Sequence, residues 1–146
     1  MHKVLLIFIL IIGFSHSNSS SAYSLGIGLP NGFVGFNSFH SIQQSNLAWQ
    51  AGLGLEGLSF GLNWTPDASR AHNPYLNSGI LYSAWDFLLF AEDSFLWYGK
   101  GGYEFWSQDS PFFTHLGFGL GVLVAGQAEG NESLIPMLDL QLGFSF

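Results

Sequence analysis

Charge is what this sequence has least of. Lysine, arginine, aspartate and glutamate make up 9% of its 146 residues, against about 25% in soluble globular domains. So few charges cannot cover an ordinary water-facing surface. Cations are the scarcest: three Lys and Arg stand against ten Asp and Glu, a net charge of −7. Nucleic acid is excluded, because neutralising phosphates takes clustered Lys and Arg. Electrostatic docking on anionic lipid headgroups is disfavoured for the same reason. Cysteine is absent, which removes disulfide scaffolds and a lipid-modified leader cysteine. Helical signals are missing too. No segment keeps a period of 3.6, and beyond residue 14 no apolar run approaches the roughly 20 residues of a spanning helix.

What is present is apolar and dispersed. Hydrophobic residues reach 48% and aromatics 17%, and nineteen glycines are interspersed with them. Such glycines would damage helices but are tolerated between apolar strand positions. The last ten residues show the pattern most clearly. Leu138, Leu140, Leu142, Phe144 and Phe146 share one face of a strand; Met137, Asp139, Gln141, Gly143 and Ser145 share the other. Side chains alternate along a strand with a period of two, so one face is greasy and the other polar or small.

The N-terminus reads as an export signal. Met1-His2-Lys3 precedes an eleven-residue apolar run from Val4 to Phe14, and Ser20-Ser21-Ala22 offers a small-residue cleavage site. This arrangement is that of a secretory signal peptide. The expected organisation is a signal peptide at 1–22 and one domain at 23–146. That domain keeps Arg70 and Lys100 as its strong cations. The sequons Asn63-Trp64-Thr65 and Asn131-Glu132-Ser133 are triplets of a kind common by chance.

Eight alternating segments follow, predicted at 23–29, 33–40, 47–55, 58–64, 79–90, 95–106, 114–125 and near 137–146. Leu53, Leu62, Phe87, Phe105, Leu120 and Leu140 are expected on the outer face. In the fifth segment Leu81, Trp85, Phe87 and Leu89 are placed outside and Tyr82, Ala84 and Asp86 inside. Gln50, Tyr98, Lys100, Glu104, His115 and the stripe Gly117, Gly119, Gly121 face in. Pro30-Asn31-Gly32 and Glu56-Gly57 read as tight turns. The longest loop is expected at 65–78, where two prolines fall. Aromatics near segment ends, among them Tyr23, Trp49, Trp64, Trp97 and Trp106, suit membrane interfaces.

The fold class this implies is all-β: a closed, antiparallel, up-and-down membrane β-barrel of about eight strands. With its signal peptide, alternating segments, inward glycines and terminal Leu142-Gly143-Phe144-Ser145-Phe146, the chain resembles the small bacterial outer-membrane barrels of the OmpA-domain and OmpX type. That resemblance implies residence in the cell outer membrane, the lipid bilayer as surroundings, a monomeric barrel, and assembly through a C-terminal signal formed by Leu140, Leu142, Phe144 and Phe146 and read by the barrel-assembly machinery. The usual barrel has short periplasmic turns and long outer loops. A long 65–78 connection would invert that habit.

Recognised cofactor and metal motifs are missing. The sequence holds no CxxC, HExxH, Gly-Lys-Ser/Thr loop or Gly-x-Ser-x-Gly elbow, and His40, His72 and His115 lack metal-ligand spacing. No cofactor and no metal is therefore expected. The polar residues of interest are inward ones. Asp86, Lys100, Glu104 and His115 are expected to form a lumen network, with Lys100 opposite Asp86, because charges buried in a narrow barrel must be paired. A second constellation, Asp67, Ser69 and His72, carries the atoms of a hydrolytic triad but lies on one short stretch without visible support. The expected role is structural or in surface interaction, without catalysis. The alternatives are a lipid-modifying hydrolase or acyltransferase in the same membrane, and a soluble secreted β-barrel that binds an apolar ligand.

Overall fold

The computed structural model describes residues 21–28, 34–42, 45–67, 72–83, 93–107, 109–126 and 134–145. They form eight strands: β1 (Ser21–Ile27), β2 (Val34–Ser41), β3 (Leu47–Gly54), β4 (Gly57–Trp64), β5 (His72–Ser83), β6 (Ser94–Trp106), β7 (Phe112–Ala125) and β8 (Leu134–Ser145). Each strand pairs antiparallel with the next, and β8 pairs back onto β1 through registers such as Leu25↔Leu142 and Ala22↔Ser145. The sheet is therefore a closed up-and-down barrel with no free edge.

The end at which β1 starts and β8 finishes is called proximal. There β2 ends and β3 begins, β4 ends and β5 begins, and β6 ends and β7 begins; the other strand ends, of β1 and β2, β3 and β4, β5 and β6, and β7 and β8, meet at the distal end. The expected long loop at 65–78 is corrected, because β5 begins at His72; the longest interval between consecutive strands in the sequence is 84–93. Residues 72–78 belong to β5. Two prolines made that stretch look like a loop. Pro74 in fact sits where β5 runs beyond β4, whose ladder stops at Trp64↔Leu76. Its missing N–H therefore breaks no bond on that side. Pro136 in β8 is placed alike, beyond the last β1 partner, Ile27↔Leu140.

β5 also corrects the expected facing. Leu81 points inward and is 1% exposed, while Tyr82 lies outside with its ring 4.9 Å from that of Phe95. Trp85, Asp86, Phe87 and Leu89 lie outside the described residues.

The polarity of the barrel is inverted relative to a soluble domain. Among the described residues, eighteen buried positions are polar or charged and eight are hydrophobic. The outer face carries exposed Leu, Ile, Val, Phe and Trp on every strand. Of the residues expected in the outer belt, Leu62, Phe105, Leu120 and Leu140 are exposed, and Leu53 is half-buried on the same face.

Candidate functional site

The lumen is filled in three layers. Distally, Leu81, Leu96, Tyr98 and Met137 form an apolar plug, with Leu123 and Ile135 against it. Proximally, Ala22, Phe39 and Phe113 pack together with Trp106. Between them lies a polar layer.

Asp139 is the hub of that layer. Its carboxylate accepts from the Lys100 ammonium, from Gln141 Nε2 at 2.9 and 3.1 Å, and from the Tyr75 hydroxyl at 3.3 Å. Gln141 passes the network on by accepting from the Ser24 hydroxyl at 2.7 Å. Lys100 is the only strong cation among the described residues, and it also lies 5.6 Å from the centre of the Tyr75 ring. A second set is neutral: Asn77 donates to Gln50 Oε1 at 2.9 Å, and Gln50 donates to Asn37 Oδ1 at 2.8 Å.

Among the described residues the ion-pair partner of Lys100 is Asp139, where sequence reasoning expected Asp86. Asp86 lies outside the described residues, and the β5 residue opposite Lys100 is Asn77. Lys100 and Asp139 sit on β6 and β8, with β7 between them. Lys100 reaches across because its β7 neighbour is Gly119 and that of Asp139 is Gly117. A Cβ at Gly119 would meet the Lys100 Cβ at 2.5 Å. The signal that sequence reasoning missed is this glycine spacing, which connects inward charges on alternate strands.

The same device seats both lumen tyrosines. Tyr98 lies over Gly79, its partner on β5, and reaches Gly61 on β4; Cβ atoms there would meet its hydroxyl at 2.6 and 2.7 Å. Tyr75 crosses its β6 partner Gly102 to Gly117 on β7, where a Cβ would meet the hydroxyl at 2.2 Å. The glycine faces leave room for the tyrosine rings to lie along the wall.

Glu104 and His115 face each other across β6 and β7, as expected. Glu104 Oε2 lies 3.1 Å from His115 Nε2, but off the line of a hydrogen bond. Both are buried. The His115 ring is stacked on Tyr75 at 5.0 Å and lies 4.9 Å from Phe113 and 5.4 Å from Phe39. Leu140, Leu142 and Phe144 project outward from β8, and Phe146 lies outside the described residues. Of the triad candidates, His72 is exposed on the outer face, its ring 5.6 Å from Phe105. Asp67 accepts from the Asn73 side chain through its backbone carbonyl. Ser69 lies outside the described residues. Among the described residues no group of three or more His, Asp or Glu is placed to hold a metal ion.

No protein-family model matches the chain, and no curated protein and no solved structure matches it. The functional reading therefore stands on geometry.

Proposed function

We propose that this chain is a small outer-membrane β-barrel with a side-chain-filled lumen. It acts as a structural or surface-interaction protein and not as an enzyme. The observation that carries the reading is the inverted polarity: Lys100, Glu104 and Asp139 are buried inside, while apolar side chains line the outside of every strand. A bilayer satisfies such an outer face, and a closed barrel satisfies its own backbone groups without water. A soluble barrel binding an apolar ligand would carry the Leu and Phe face inside.

In this reading the N-terminal segment with its apolar run from Val4 to Phe14 directs export, and Ser21 and Ala22, counted with the leader from sequence, stay with β1. The outward Leu140, Leu142, Phe144 and Phe146 form the signal for the barrel-assembly machinery, as the likeness to the OmpA-domain and OmpX type implies. The distal connections, including the longest, face outward from the cell. Eight strands leave an interior about wide enough for side chains to fill, and the plug of Leu81, Leu96, Tyr98 and Met137 occupies it. The barrel is therefore non-conducting. Expression with the leader followed by fractionation tests the reading. The chain is expected in the outer-membrane fraction, with a folded form that migrates differently before and after boiling. Recovery as a soluble monomer in buffer without detergent overturns it.

A further inference from the structure

The proximal mouth of the lumen holds a cavity of about 280 Å³. We propose that it binds a small organic ammonium ion. The inference rests on the geometry of the barrel interior and is independent of what surrounds the outer wall.

Charge comes first. The Glu104 carboxylate lines the cavity and, among the described residues, its one ion-pair partner is His115. That contact is out of line for a hydrogen bond, so the carboxylate keeps acceptor capacity toward the cavity. A buried carboxylate is costly without a full set of partners, and a bound cation completes the set. Among the described residues no Lys or Arg lines the cavity, and Lys100 in the next layer is already paired with Asp139. The other titratable lining residue is His115, held against Glu104, and the carboxylate disfavours an anion.

The walls fit the same ligand. Trp106 and Phe113 stand 4.6 Å apart between ring centres, and Phe39 meets Phe113 edge-on at 6.2 Å and 84°. All three line the cavity beside Glu104. The negative faces of aromatic rings attract cations, and alkylated ammonium groups most effectively, because they are weakly hydrated. The rim contributes neutral polar groups, Ser41, Asn63 and Thr65, which suit a hydroxyl or amide on the ligand. Ligand sites of drug size run to about 300–1,000 Å³. This cavity therefore takes a compact ion of a few heavy atoms.

The test is calorimetric titration of the folded full-length domain in a maltoside detergent, which carries no ammonium headgroup. Choline is compared with 3,3-dimethylbutan-1-ol, its neutral isostere, at constant ionic strength. Choline is expected to bind saturably and about tenfold more tightly than the neutral compound. Glu104→Gln is expected to bring the two within about twofold of each other, and Trp106→Leu to weaken choline several-fold. Absence of saturable choline binding, equal affinity for both compounds, or unchanged choline affinity in Glu104→Gln overturns the proposal. Should Glu104→Gln fail to fold, the choline and isostere titrations of the unsubstituted protein decide the matter alone.

Discussion

The two halves of the barrel bury polar groups in different ways. Strands β1 to β4 are seven or eight residues long, and the inner-wall hydrogen bonds they make are neutral: Gln50 donates to Asn37, and Ser24 donates to Gln141 of β8. Strands β5 to β8 are twelve to fourteen residues long and, among the described residues, hold the charged strand residues of the lumen, Lys100, Glu104 and Asp139, together with His115. The longer half also carries Gly102, Gly117, Gly119 and Gly121 on its inner wall. Burying a charge requires a full set of partners, because an unpaired one is strongly destabilising. Glycine faces supply the reach. They let Lys100 cross one strand to Asp139 and let Tyr75 lie flat to complete the set. The inner walls of the short strands rely on amides and hydroxyls, which cost less to leave imperfectly satisfied; the buried carboxylate of that half, Glu56, lies in the β3–β4 turn.

This contrast can be broken at three points by unfolding measurements in detergent. The largest effect is expected at the charged hub. Lys100→Met leaves Asp139 buried without its cation and should cost about 3–5 kcal/mol. Adding Asp139→Leu should recover much of that loss. Simple additivity of the two single changes would break the pairing.

Next comes the glycine wall. Gly117→Ala drives a Cβ to 2.2 Å from the Tyr75 hydroxyl, and overpacking of this kind costs about 1–3 kcal/mol. The loss should shrink in a Tyr75→Phe background, where the clashing oxygen is gone. An equal loss in both backgrounds would mean that the ring is not seated on that glycine.

The smallest effect belongs to the short half. Ser24→Ala removes one neutral hydrogen bond to Gln141, worth about 0.5–1.5 kcal/mol. A loss as large as that of Lys100→Met would erase the distinction between the halves.

Much of the architecture was legible because the signal is period-two alternation. It exposes the two faces of β6, β7 and β8 directly, and with them the inward placement of Lys100, Glu104 and His115. The Glu104–His115 pairing followed from the short turn that joins their strands. Two things were hidden. β5 was shifted toward the distal end, since Pro74 resembles a loop signal in one dimension and becomes acceptable only where β5 runs past β4. The partner of Lys100 was hidden because alternation reports which face a residue occupies, not how far its side chain reaches. Lys100 and Asp139 are not on adjacent strands; they meet over the glycines of β7. The Gln50 network was half visible. Gln50 has a clear inward parity, but Asn37 falls in segment 33–40, to which the alternation assigns no face, and Asn77 in the expected loop at 65–78.

The central claim is that the apolar outer wall faces lipid, and the chain offers a clean way to test it. It contains no cysteine, so each introduced cysteine is a unique labelling site. Nitroxide labels at Leu116, Phe118 and Leu120 on β7, with Ser45 in an exposed proximal connection as the reference, would be measured in lipid vesicles. The account predicts frequent collisions with oxygen and few with a water-soluble nickel complex at the three β7 positions, and the reverse at Ser45. Nickel collisions at Leu116, Phe118 and Leu120 as frequent as at Ser45 would contradict it.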